Sequence, residues 1–270
     1  MGKIIAFANQ KGGVGKTTTC INMAAYLAVM GQQVLILDMD PQGNASSGVG
    51  VEKTKQTLTI YNVISDDTKI EETIQPTKIK NLHVIPATVD LAGAEIDLVE
   101  MQNREYVISN ILKTIKDKYD FILIDCPPSL GLITINSLTA ADSVIIPIQC
   151  EFYALEGLTQ LMNTVRLIIH HLNANLQVEG VVMTMKDNRS NLVNQVSQEI
   201  KKFFGPKVFE TYIPRNIRLA EAPSHGEPIV LYDINSRGSE AYMQLAEEFL
   251  QRNNIKYNKI NKKKILKENK

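Results

Sequence analysis

Asn9-Gln10-Lys11-Gly12-Gly13-Val14-Gly15-Lys16-Thr17-Thr18 follows a short apolar run at residues 4–8 and leads into a helical pattern at 19–30. A glycine-rich turn between a strand and a helix start aims successive backbone N–H groups into one concavity. The helix dipole adds its positive end, and the two together make a phosphate site. Gly12, Gly13 and Gly15 permit backbone conformations and close approaches that a Cβ would block. Lys16 supplies a mobile cation for β- and γ-phosphates, and the Thr17 hydroxyl suits a Mg²⁺ shell. The match to the phosphate-binding pattern G-x-x-x-x-G-K-[ST] is partial. Gly15-Lys16-Thr17 fit its end, but Gln10 stands where its first glycine belongs, and a second lysine, Lys11, precedes Gly12.

Outward from this loop, strand and helix patterns alternate. Residues 4–8 are continuously apolar, as in a strand buried on both faces of a parallel sheet. The next helix carries Ile21, Ala24, Ala25 and Ala28 at helical spacing and stops at Gly31. A second buried strand is expected at 34–37, ending in Asp38-Met39-Asp40-Pro41-Gln42-Gly43-Asn44. Further strands are expected at 82–86, 119–125, 143–148 and 181–185. Helical patterns fall at 58–64, 70–74, 90–118 with breaks near Gln102 and Asn103, 154–172, 191–204 and 239–252. The fold class is therefore α/β, a mainly parallel twisted sheet with helices on both faces, in a single domain over 1–252. Residues 253–270 form a Lys-rich tail, expected to be disordered or loosely helical.

Composition narrows the compartment and the partners. A chain that is 44% hydrophobic and 21% charged is ordinary for a soluble globular protein. Formal net charge is zero, yet seven lysines and one glutamate fall in 253–270, so the tail carries +6 and the remainder −6. Any nucleic-acid surface must then be local. Cys20, Cys126 and Cys150 are scattered and odd in number, which excludes a disulfide framework and suits a reducing compartment. No signal-peptide pattern opens the chain, no apolar run approaches spanning length, and Ala6 stands where N-myristoylation wants Ser or Thr. The expectation is a cytoplasmic protein. His170-His171 lack a third metal ligand and read as surface or capping residues.

Three acids suit a Mg²⁺–triphosphate site. Asp125 ends a hydrophobic strand, where a carboxylate reaches Mg²⁺, commonly through water; a simple cap or turn is the competing reading. Asp40, at the mouth of another strand, suits the attacking water or the outer shell of the metal, against an Asx turn at Asp40-Pro41. Asp38 ranks below both, as a residue that stabilises the loop.

Lys11-Gly12-Gly13-Val14-Gly15-Lys16-Thr17-Thr18 resembles the deviant Walker A motif of the ParA/MinD class of P-loop ATPases. Four more stretches narrow the resemblance: 38–44, Ile124-Asp125-Cys126-Pro127-Pro128-Ser129-Leu130-Gly131, Gln149-Cys150-Glu151-Phe152-Tyr153-Ala154-Leu155-Glu156-Gly157, and 213–226 from Ile213-Pro214-Arg215-Asn216 to Gly226. Together they are similar to the Soj-like, short chromosomal type of partition ATPase over residues 1–250. The resemblance implies ATP and Mg²⁺ as cofactors and an ATP-dependent homodimer in which Lys11 reaches the partner's phosphates. Lys11, Lys16 and Asp40 would be catalytic, and Thr17, Asp40 and Asp125 would manage the metal. Gly12, Gly13, Val14, Gly15, Thr17 and Thr18 would complete the phosphate cradle, with Met185, Pro214, Arg215 and Asn216 around adenine. It further implies non-specific double-stranded DNA binding through Arg189 and Arg218, a ParB-type centromere-binding partner that stimulates hydrolysis, and a nucleoid-associated location. For both arginines, and for Lys11, the competing reading is a solvated surface charge. Lys186, Lys201, Lys202 and Lys207 are auxiliary candidates.

Three other readings compete. A MinD-like division-site ATPase binds membrane and wants a C-terminal amphipathic helix; Ile255, Tyr257, Ile260, Ile265 and Leu266 give no sustained apolar face. An iron–sulfur reductase subunit wants paired cysteines, which three dispersed thiols do not offer. A metabolic P-loop enzyme needs a substrate pocket that these motifs do not identify.

Overall fold

The computed structural model describes residues 2–54, 57–66, 68–151, 154–187, 189–260, 262 and 265. Phe152 and Tyr153 of the motif quoted above, Asn188 beside Arg189, and Lys263, Lys264 and Leu266 of the tail lie outside the described residues.

Seven strands form one sheet: β1 Lys3–Phe7, β2 Val34–Asp38, β3 Gln75–Pro76, β4 Leu82–Ile85, β5 Phe121–Asp125, β6 Ser143–Gln149 and β7 Gln177–Thr184. Their order is β3-β4-β2-β5-β1-β6-β7, parallel throughout except for the short edge strand β3, which runs antiparallel to β4. The chain winds outward in both directions from the centre, so β1 lies between β5 and β6, strands far from it in sequence. Open α/β sheets bind ligands beyond the C-terminal strand ends at such a reversal. The phosphate loop leaves β1 there.

Alternation along each strand builds a core on either face. Ile4 and Ala6 point to one side with Leu35, Leu37, Ile122 and Ile124, covered by helices that include Val107–Lys113 and Ala154–His171. Ile5 and Phe7 point to the other with Val34, Ile36, Phe121 and Leu123, covered by α1 (Lys16–Val29) and helix Arg237–Arg252. Because both faces are covered, the central strands are fully buried runs without polar alternation. α1 is buried along most of its length. Its Thr19 and Tyr26 hydroxyls meet Tyr242 and Ser239 of the C-terminal helix.

The structure corrects several expectations. Residues 90–118 are helical but broken, with Asn103 at φ 53° between Ala94–Glu100 and Val107–Lys113, where the break was expected. The strand expected to begin at Tyr119 begins at Phe121, because Asp120 instead exchanges hydrogen bonds with Gln33. β7 starts earlier than its apolar run and excludes Met185. Helix Leu132–Ala140 lacked a sequence assignment. Its buried Thr134, Asn136, Ser137 and Thr139 blur any apolar stripe.

The tail differs most. Residues 253–260 are not loose: Ile255, Tyr257 and Ile260 pack against the core around α1, and Ile265 is buried there. The Asn258 N–H donates to the Met30 carbonyl at 3.0 Å, across the end of α1. Among the described residues, no helix is long and apolar enough to cross a membrane.

Candidate nucleotide site

Asn9 sets the start of the phosphate loop. Its amide donates to the Pro147 carbonyl at 2.7 Å, and its Oδ1 accepts from the Lys11 N–H at 3.0 Å. Gly13 and Gly15 then take φ of 73° and 84°, left-handed conformations that L side chains resist. Gly15 caps α1, whose first residues are Lys16, Thr17 and Thr18. Val14 is buried, and its carbonyl accepts from the Thr184 hydroxyl at 2.7 Å.

A cleft of about 580 Å³ opens over this loop. Gly12, Gly13, Gly15, Lys16, Thr17, Thr18, Asp40, Met185, Pro214, Arg215 and Asn216 all line it. Twelve residues were expected around the nucleotide, and ten of them meet in this cleft; the exceptions are Lys11 and Val14. Gln42, Asn44, Pro128 and Tyr242 also line the cleft and were not singled out in the sequence, and Thr184 lines it beside Met185, in a segment expected to face the nucleotide. Gln42, Asn44 and Pro128 sit inside quoted motifs, whereas Tyr242 gave no signal beyond an apolar helix position. Met185 holds φ 49°, a left-handed conformation uncommon for a non-glycine residue. Asn216 keeps its side-chain oxygen buried without a partner in the cleft wall.

The electrostatics centre on three strand-end acids. Asp38 and Asp125 are register partners across β2 and β5. Burial raises the Asp125 carboxyl well above the usual range; Asp38 pushes it further, and the Thr17 hydroxyl and Lys16 oppose this. Neither Asp125 oxygen has a well-formed hydrogen bond, although the residue is fully buried. A buried carboxylate with no donor nearby but the Thr17 hydroxyl, at the foot of a phosphate loop, suits a hydrated Mg²⁺. Asp38 is satisfied within the protein: it accepts from the Ser46 N–H and hydroxyl at 2.8 and 2.6 Å and from the Asp40 N–H at 3.2 Å. It therefore holds the loop. Asp40 forms the Asx turn that Pro41 suggested, accepting from the Gln42 N–H at 2.9 Å, and its carboxylate also faces the cleft.

Lys16 is nearly buried and donates to the Lys11 carbonyl at 3.2 Å. Burial lowers its pKa, while Asp125, Cys126 and Asp40 pull it back. Lys11 does something different. Its ammonium turns out of the cleft and pairs with Glu151, just beyond β6. Arg189 and Arg218 lie outside the cleft, both exposed. Among the described residues, no group of three or more His, Cys, Asp or Glu could hold a metal without other ligands, and His170 and His171 meet only edge to face.

Comparison with known proteins agrees with this geometry. The family model described as an AAA domain matches residues 2–178. The chain is 59% identical over 248 residues to the sporulation initiation inhibitor protein Soj of Bacillus subtilis, covering 92% of this chain and 98% of that protein. It is 52% identical over 256 residues to the chromosome partitioning protein ParA of Myxococcus xanthus, covering 95% and 90%. Cobyrinic acid a,c-diamide synthase from Mycobacterium smegmatis, solved with an ATP analog and magnesium, superposes with a TM-score of 0.83 at 33% identity over 93% of this chain and 95% of that one. Both relatives match this chain over nearly their whole length at more than half identity, and the chain belongs to the ParA/Soj family of chromosome-partitioning P-loop ATPases.

Proposed function

We propose that the working unit is a dimer of this chain closed around two ATP molecules, which holds DNA without sequence preference and releases it on hydrolysis. The observation that carries this reading is the position of Lys11. It belongs to the phosphate loop yet does not line its own cleft, and its ammonium faces outward to Glu151. A cation so placed is available to the phosphates of a second subunit.

Within each cleft, the loop N–H groups and Lys16 bind the β- and γ-phosphates, and Pro214, Arg215, Asn216 and Met185 enclose adenine. The unpartnered Asn216 oxygen suits the exocyclic amine of the base. Mg²⁺, when bound, neutralises charge on the phosphate oxygens; the Thr17 hydroxyl and Asp125 would hold it, Asp125 through water. Asp40 orients the water whose oxygen attacks the γ-phosphorus as the bond to the β–γ bridging oxygen breaks and ADP leaves. Lys16, and Lys11 from the partner, offset the charge that develops.

Arg189 and Arg218 contact DNA phosphates, which carry no base information. A ParB-type centromere-binding protein stimulates hydrolysis, and the protein cycles between the nucleoid and the cytoplasm. A membrane-bound alternative is disfavoured by the packing of Ile255, Tyr257 and Ile260 onto the core, which occupies side chains that a lipid-binding helix would need. The test is ATP turnover with DNA, with a ParB-type partner, and with both. Stimulation requiring both is expected; turnover indifferent to either would refute the proposal.

A further inference from the structure

Both surface arginines are held by acids of their own neighbourhood. Arg189 meets Asp187 fork to fork: Nε donates to Oδ1 at 3.0 Å and an Nη donates to Oδ2 at 2.8 Å. Its backbone N–H also donates to Oδ1 at 3.1 Å, so one carboxylate fixes both chain and side chain. Arg218 donates to Glu221 Oε2 at 2.9 Å, and its Nε lies 3.5 Å from Asp233 Oδ2. The Tyr232 hydroxyl donates to the same Glu221 oxygen at 3.1 Å and holds it in place. The two pairs sit on separate elements, a loop after β7 and the short helix Ile217–Glu221.

We propose that Asp187 and Glu221 are guards that cancel the charge of Arg189 and Arg218, so that a phosphate backbone must displace a carboxylate at each arginine. The proposal rests on the DNA-binding reading of these arginines. A phosphate presents the same bidentate acceptor geometry as a carboxylate, so exchange is chemically even. The Arg189 side chain is 91% exposed, and exposed ion pairs are weak enough to open. What opposes exchange is the displaced carboxylate, left beside an incoming phosphate of like charge.

The first guard is also wired to the cleft. Thr184 holds the Val14 carbonyl, Met185 lines the cleft at φ 49°, the Lys186 N–H donates to Ile213 O at 3.0 Å, and Asp187 comes next. Arg215, another cleft residue, adds its field to the hold on Asp187. Cleft and guard thus share one continuous segment.

The test uses the full chain with Asp187→Asn, Glu221→Gln and the double substitution, titrated without nucleotide against a labelled random-sequence duplex at low salt. Both replacements are isosteric, and Asn at 187 keeps the oxygen that accepts the Arg189 N–H. The double variant is expected to bind about tenfold more tightly than wild type, with a log–log salt slope steeper by roughly 1.8, or 0.9 per added phosphate contact. Adding Arg189→Gln to Asp187→Asn should cancel the gain of that single variant. Affinity within twofold of wild type in a folded double variant overturns the guards, as does a gain that survives removal of Arg189. If ATP-dependent DNA retention also survives Arg189→Glu and Arg218→Glu, the DNA-binding reading fails and the guards fall with it. If those variants lose retention while the double variant is unchanged, only the guards fail.

Discussion

The Thr184 hydroxyl donates a 2.7 Å hydrogen bond to the Val14 carbonyl, joining the end of β7 to the middle of the phosphate loop across 170 residues of sequence. Both residues are buried. Thr184→Val keeps the shape and leaves the carbonyl unpaired, which costs about 1–3 kcal/mol. Part of that cost should appear as a loosened loop, with ATP affinity reduced about threefold to tenfold. Calorimetric titration and thermal melts measure the two parts. Unchanged affinity and unchanged stability together would show that the bond contributes nothing.

The pair of Lys11 with Glu151 is exposed on both sides, so opening it costs about 0–1 kcal/mol. Lys11→Ala should therefore bind ATP about as wild type does and fail to dimerise. Glu151→Gln removes the competitor for Lys11 and should lower the ATP concentration for half-maximal dimerisation by about twofold to fivefold. Sedimentation velocity across an ATP series reads both. Normal ATP-dependent dimers of Lys11→Ala would remove Lys11 from the interface.

Asp40 faces the cleft while its backbone and one oxygen brace the loop to Gly43. Asp40→Ala should give a dimer that retains ATP, with single-turnover phosphate release slowed by about two orders of magnitude or more. Release at the wild-type rate would exclude it as the residue that orients water.

The parts of this architecture legible in the sequence were those where one residue type has few physical roles. Of the three glycines read as places where a Cβ would block the backbone, Gly13 and Gly15 take left-handed conformations and Gly12 does not, while continuous apolar runs marked β1, β2 and β5 as strands covered on both faces. Asp38 and Asp125 were visible because a carboxylate at the end of such a run is costly without a partner. Contacts closed by tertiary packing were not legible. Tyr242 reaches the cleft only because helix Arg237–Arg252 packs on α1, and its periodicity is that of any core aromatic. The packing of 253–260 was hidden for a related reason. Its few apolar residues look too sparse to order a lysine-rich segment until α1 supplies the groove and the free carbonyl of Met30.

Asp38 and Asp125 predict a pH dependence of stability. Burial is the main cause that pushes the Asp38 carboxyl up to about 6, from 3.8 ordinarily, although Ser46 and the Asp40 N–H donate to it. A carboxyl raised on folding holds its proton more tightly in the native state than in the unfolded chain. Its contribution is therefore full below the unfolded value and is lost as pH rises through the folded one. The nucleotide-free protein should lose up to about 3 kcal/mol between roughly pH 4 and pH 7 from Asp38. Asp125 is raised for the same reason and by repulsion from Asp38, so it adds in the same direction. Asp38→Asn removes one titration and relieves the other, and should flatten this decline by at least half. Mg²⁺ with ATP should flatten it too, since a cation beside Asp125 favours the ionised carboxylate. Melting temperatures of both proteins across this range, with and without Mg²⁺-ATP, measure the effect. An equally steep decline in Asp38→Asn would mean that other groups set the acid response of the fold.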